Sequence, residues 1–73
     1  MTKYYRFEHD QPRIGEEIHC FKTLEALTEF ATMMRSQDSN FHRMKYWEIE
    51  GVFIREDEGD AVVRVHAAKE VEI

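Results

Sequence analysis

Residues 44–73 read MKYWEIEGVFIREDEGDAVVRVHAAKEVEI, and this stretch decides the fold. Two runs rich in β-branched and aromatic residues flank the segment Asp57-Glu58-Gly59. Glycine adopts positive φ without steric cost, so a type I turn followed by Gly59 in the left-handed position would close a β-hairpin here. The sequence therefore predicts two long antiparallel strands joined by a three-residue loop.

The position of this loop sets the register of the hairpin. It pairs Glu56 with Asp60, Phe53 with Val63, Gly51 with Val65, Ile49 with Ala67, and Trp47 with Lys69. Because side chains alternate along a strand, all odd-numbered positions share one face. The face predicted to meet the core comprises Trp47, Ile49, Phe53, Val63, Val65, Ala67, Val71 and Ile73.

The even-numbered face of the hairpin mixes apolar and charged residues. The register pairs Ile54 with Val62, Val52 with Arg64, Glu50 with His66, and Glu48 with Ala68. A solvated sheet face is usually almost wholly polar, so this mixture predicts a surface that binds a partner, although single exposed valines are common. The predicted interface consists of the apolar anchors Tyr46, Val52, Ile54 and Val62 and the polar residues Glu48, Glu50, Arg64 and His66.

Two shorter strands and a helix precede the hairpin. Lys3-Tyr4-Tyr5-Arg6-Phe7 alternates in the manner of a strand that ends near Glu8, and residues 17–21 form a second short strand. Thr23 caps a helix from about Leu24 to Arg35, along which apolar residues recur at three- and four-residue steps. The predicted element order is therefore ββαββ.

This order predicts a single small α+β domain spanning residues 1–73. Its architecture is a two-layer sandwich, in which an antiparallel sheet of about four strands carries one helix packed on one face. We expect the helix on the odd-numbered face of the hairpin, where Gly51 lacks a side chain and would let Phe30 approach closely.

Length and composition limit the functional classes. The 73 residues carry a net charge of -5 and a single cysteine, Cys20, which excludes an intramolecular disulfide. So short a chain buries little surface, and without a staple a homodimer is the remaining way to stabilise it. No apolar run has the length of a signal peptide or a membrane span, so we expect a cytoplasmic protein without a membrane partner.

The sequence predicts no catalytic residue, no metal and no cofactor, and hence not an enzyme. His19 and Cys20 are adjacent and point to opposite faces of a strand, so Cys20 is expected to be a buried structural thiol. Glu50 opposite His66 could transfer a proton, but a cross-strand ion pair is the simpler interpretation. The acidic hairpin tip lacks the ligand spacing of a calcium loop.

An active site shared across a dimer interface is the remaining enzymatic alternative. Its catalytic side chains would be Glu50, His66, His19 and His42.

We therefore expect a non-catalytic protein–protein interaction module, a small bacterial or phage accessory protein that binds a protein or a second copy of itself through the predicted interface. One alternative is an acidic decoy of a nucleic-acid-binding host protein, carried by Glu48, Glu50, Glu56, Asp57, Glu58 and Asp60. Another is a single-stranded nucleic-acid binder, in which Arg35, His42, Arg43 and Lys45 flank Phe41, Tyr46 and Trp47. The negative charge argues against nucleic acid as a partner.

Overall fold

The computed structural model describes residues 2–73 and contains four strands and one α-helix. In chain order these are β1 (Lys3–Glu8), β2 (Glu17–Cys20), α1 (Leu24–Gln37), a 3-10 helix (Ser39–Arg43), β3 (Lys45–Asp57) and β4 (Asp60–Val71). The strands form one antiparallel sheet in the order β1-β3-β4-β2, with the helix packed on one face. The predicted α+β architecture and ββαββ order are confirmed.

The sheet curls until its two edge strands meet. Tyr5 of β1 and Phe21, which follows β2, exchange two backbone hydrogen bonds with N···O distances of 3.0 and 2.7 Å. The curl encloses an inner core to which the helix contributes no residue. This inner core consists of Tyr4, Ile18, Cys20, Trp47, Ile49, Ala61, Val63 and Val65, with Ala68 packed against it.

A second cluster, the outer core, lies between the sheet and the helix. It contains Leu27, Ala31, Phe41 and Tyr46, with Tyr5, Phe7, Phe21, Phe30, Met34, Met44, Val71 and Ile73 packed against them. The expectation that the helix covers the odd-numbered face of the hairpin is therefore wrong. Trp47 and Ile49 are already buried inside the curl, and the helix instead packs on the outside, over Phe7 and Tyr46.

Local hydrogen bonds fix both ends of α1. The Thr23 hydroxyl accepts a hydrogen bond from the Ala26 amide at 3.1 Å, as predicted for an N-cap. Asp38 ends the helix, since its amide donates to the Met34 carbonyl at 2.8 Å. Its carboxylate then accepts from the Asn40 amide at 2.9 Å and starts the 3-10 helix. The helix is therefore two residues longer than the pattern ending at Arg35 predicts.

The hairpin turn is shorter than predicted. Asp57 pairs with Asp60, which leaves a two-residue loop of Glu58 and Gly59 with φ values of 51° and 87°. Two consecutive residues with positive φ are characteristic of a type I′ turn, whose twist matches that of the flanking strands. The three-residue loop is therefore wrong, and Glu56 pairs with Ala61 instead of Asp60.

Two irregularities then shift the register of the hairpin. Ile54 is an extra residue on β3, which restores the predicted pairs of Phe53 with Val63, Val52 with Arg64, and Gly51 with Val65. His66 is an extra residue on β4. Beyond it Glu50 pairs with Ala67, Ile49 with Ala68, Glu48 with Lys69, and Trp47 with Glu70, so the predicted pairs in this half are wrong.

Gly51 is required by the coiling of the hairpin, and the helix is not involved. A Cβ atom at this position would collide with the carbonyl oxygen of Arg64 and would lie 2.5 Å from the Val63 Cγ1 atom. We predict that Gly51→Ala lowers the free energy of unfolding by about 2 kcal/mol or more, because the backbone of β4 must move. Urea unfolding measures this loss. The exposed neighbour Glu50→Ala serves as the control, and an unchanged midpoint for Gly51→Ala would contradict the close approach of the strands.

Glu58 occupies a left-handed conformation that side chains other than Asn, Asp and Gly rarely adopt. We predict that Glu58→Asn raises the free energy of unfolding by about 0.5–1 kcal/mol, because Asn-Gly is the preferred pair of a type I′ turn. Thermal unfolding measures the gain. Glu58→Gln removes the same charge without relieving the conformation, so an equal gain in that variant would assign the effect to electrostatics.

Candidate functional site

Two of the four predicted apolar anchors are not accessible. Tyr46 is 4% exposed and Val62 is 2% exposed, so the expectation of a contiguous surface patch that includes them is wrong. Tyr46 lies in the outer core, and the guanidinium carbon of Arg35 lies 5.0 Å from the centre of its ring. Val62 is flanked in the sheet by His19 of β2 and Arg55 of β3. The predicted pair of Ile54 with Val62 is wrong, because the two-residue turn pairs Val62 with Arg55 instead.

The polar residues of the predicted interface are engaged mainly with neighbouring strands. Glu48 forms an ion pair with Lys3 at 3.3 Å, and Arg64 pairs with Glu17 at 2.7 Å. Glu50 and His66 are both exposed, but the extra residue in β4 separates them in register. The predicted Glu50–His66 cross-strand pair is therefore wrong.

The large exposed apolar side chains of the hairpin lie in one short stretch of β3. Ala67, which the sequence predicts in the core, is exposed as well, because the extra residue His66 shifts the register of β4. Val52 is 42% exposed, Phe53 is 48% exposed, and Ile54 is partly buried. We call residues Val52–Ile54 the exposed β3 segment. Val52 and Phe53 point to opposite faces of the strand, so apolar surface is presented on both sides of it.

The exposed β3 segment exists because β1 is short. Its first residue, Lys3, pairs with Glu50, so among residues 2–73 the part of β3 beyond Glu50 pairs only with β4. The prediction that Phe53 is a core residue is therefore wrong, although its partner Val63 is buried. The alternation of apolar and polar residues along β3 could not reveal the exposure of Phe53, because this exposure depends on where β1 begins to pair with β3.

Two basic side chains contact the acidic hairpin tip. The His19 Nε2 atom lies 2.9 Å from the Asp57 carboxylate, and the Lys22 ammonium lies 2.7 Å from the Glu56 carboxylate. Both pairs join the tip to the end of β2 and are about half exposed. Within residues 2–73 no group of three or more His, Cys, Asp or Glu side chains is arranged to hold a metal ion.

The basic and aromatic cluster before β3 does not present rings for base stacking. Phe41, Tyr46 and Trp47 are all buried, and the indole Nε1–H of Trp47 donates to the Glu8 carbonyl at 3.1 Å. This hydrogen bond ties the end of β1 to β3. The prediction that Trp47 faces the core is confirmed, and Phe41 is buried in the outer core.

Comparisons with protein-family models, with curated protein sequences and with solved structures found no match to this chain. No helix among residues 2–73 combines the length and apolar character required to span a membrane. The function is therefore inferred from the residues that the fold leaves accessible.

Cys20 is a structural thiol, as predicted. It is buried in the inner core, and burial raises the pKa of its thiol from the ordinary value of 9.0 to about 12. The nucleophilic form is the thiolate, so we predict negligible alkylation of folded protein by iodoacetamide at mildly alkaline pH and rapid alkylation in urea. Mass spectrometry measures both rates, and equal rates in the two states would contradict the buried position.

Proposed function

We propose that this protein is a non-catalytic protein–protein interaction module that associates with a second copy through the exposed β3 segment. One observation carries the proposal: Val52 and Phe53 are adjacent, half-exposed apolar residues on a stretch of strand whose outer edge has no partner strand within residues 2–73. An open edge with apolar side chains is the usual surface for the addition of another strand.

The geometry of the open edge suits a two-fold symmetric pair. The unpaired stretch covers residues 51–57, and its midpoint is Ile54. Two antiparallel copies related by an axis at Ile54 would bring Phe53 of one copy beside Arg55 of the other, and Val52 beside Glu56. No acidic residue then faces another acidic residue along this stretch. Phe53 and Arg55 can also form a cation–π contact.

Side-chain burial would contribute most of the affinity in this arrangement. The extra residue at Ile54 interrupts the regular spacing of backbone groups, so a continuous ladder of hydrogen bonds across the whole edge is not expected. Phe53 has the largest exposed apolar side chain in the segment, and aromatic anchors dominate the energy of many interfaces. A second copy would also add buried area to a chain of 73 residues with a small core.

The two nucleic-acid alternatives have less support. The acidic decoy needs an extended array of free carboxylates, but Glu48, Glu56 and Asp57 are each paired with a basic side chain. A single-stranded nucleic-acid binder needs accessible rings beside its basic residues, and the rings near Arg43 and Lys45 are buried. The exposed β3 segment therefore favours a protein partner.

The proposal predicts that Phe53→Asp weakens self-association by about tenfold or more, because it places a charge at the apolar centre of the interface. Sedimentation velocity over a concentration series measures the dissociation constant. Circular dichroism and thermal unfolding establish that the variant remains folded, as expected for a residue that is 48% exposed.

Ile14→Asp is the matched control for this substitution. Ile14 is 80% exposed and lies in the loop between β1 and β2, away from the open edge of β3. Ile14→Asp introduces the same charge as Phe53→Asp but outside the proposed interface, so we expect dimerisation to be unchanged. A wild-type protein that remains a monomer at every concentration, or equal weakening by both substitutions, would overturn the proposal.

A further inference from the structure

The closure between β1 and β2 leaves a cavity beside it. Tyr5 and Phe21 form the only bridge between the two edges among the described residues, and beyond it the Arg6 guanidinium donates to the His19 carbonyl at 2.7 Å. A cavity of about 430 Å³ opens here, between the two strands, the helix and the hairpin tip. Its volume is within the range of roughly 300–1,000 Å³ that is typical of small-molecule sites.

Three phenylalanine rings form the apolar wall of this cavity. Phe7 and Phe30 are stacked with their ring centres 5.2 Å apart, and Phe21 lies 5.4 Å from Phe30 and 6.2 Å from Phe7. Cys20 is also among the residues that line the cavity, while its side chain packs in the inner core. A further flat ring can pack on an aromatic wall of this kind in an offset or edge-to-face arrangement.

Of the charged side chains at the cavity, Arg6 has partners within residues 2–73 and Asp60 does not. The Nε of Arg6 donates to the Glu8 carboxylate at 3.0 Å, and its Nη1 is held by His19, so the charge of this arginine is balanced. Asp60 also lines the cavity, and its carboxylate forms no ion pair or side-chain hydrogen bond with the other described residues. Asp60 is therefore the acceptor at the cavity that remains available to a bound cation.

We propose that this cavity binds a small aromatic amine, with its ring against Phe7, Phe21 and Phe30 and its ammonium group beside the Asp60 carboxylate. The ring replaces water on an apolar wall, and the ammonium pairs with the one carboxylate there that lacks a partner. None of the residues that line the cavity belongs to the exposed β3 segment.

Two-dimensional amide NMR with phenethylamine as the probe tests this proposal. We expect saturable shifts confined to the amides around Phe21, Phe30 and Asp60. The anion 3-phenylpropionate has the same ring and the opposite charge, and we expect it to bind about fivefold more weakly or worse. Absence of saturable shifts, shifts centred elsewhere, or equal binding of the two probes would overturn the proposal.

Two substitutions separate the roles of charge and ring. Asp60→Asn should weaken phenethylamine binding about threefold while leaving the binding of 3-phenylpropionate unchanged or improved, because only the ammonium contacts residue 60. Phe30→Leu should weaken the binding of both probes, since it removes part of the wall that they share. Asp10→Asn, an exposed acid outside the cavity, is the charge control. Unchanged phenethylamine binding by Asp60→Asn would overturn the assignment of the ammonium site even if Phe30→Leu fails to fold.

Discussion

The backbone bridge between Tyr5 and Phe21 is the interaction on which the rest of the structure depends. A four-stranded sheet with one helix can cover only one face, and its other face would stay in water. By joining its edges the sheet buries that second face against itself, so that Tyr4, Trp47 and Val65 share an inner core. The helix then covers the outside of the curl. A short chain thereby obtains two hydrophobic clusters from a single sheet.

Two long strands can follow this curl only if their pairing is interrupted. The extra residues at Ile54 and His66 each offset the register by one position, and extra residues of this kind bend a strand and increase its twist. Gly51 lies between them, where a Cβ atom has no room. Beyond the extra residue His66, the even-numbered positions of β4 face the inner core and the odd-numbered positions face the helix. Ala68 therefore packs on the inner core, whereas Val71 packs against the outer core.

The sequence was sufficient to predict the elements, their order, the Thr23 cap and the burial of Cys20, since each depends on local pattern. It was insufficient for the register. Gly59 fits equally well as the last residue of a three-residue loop or of a two-residue loop, and only the positive φ of Glu58 distinguishes them. Ile54 looks like an ordinary strand residue, so its extra position leaves no sign in the alternation. The turn accounts for the changed partner of Val62. Tyr46 is buried because the helix packs on the outside of the curl, and Phe53 is exposed because β1 pairs with β3 only as far as Glu50.

The exposed β3 segment is the part of the structure that folding alone explains least. β3 has 13 residues and β1 has 6, and among residues 2–73 the part of β3 beyond Glu50 has no partner on its outer edge. Proteins usually protect such an edge with charged residues or an extra residue that breaks the ladder. In this chain the charged residues Glu50 and Arg55 flank the open edge of β3, and the extra residue Ile54 interrupts the ladder. Val52 and Phe53 nevertheless remain exposed between the two charged residues. An apolar centre within a charged rim is the composition that interfaces between proteins usually have, and this likeness supports the proposed self-association.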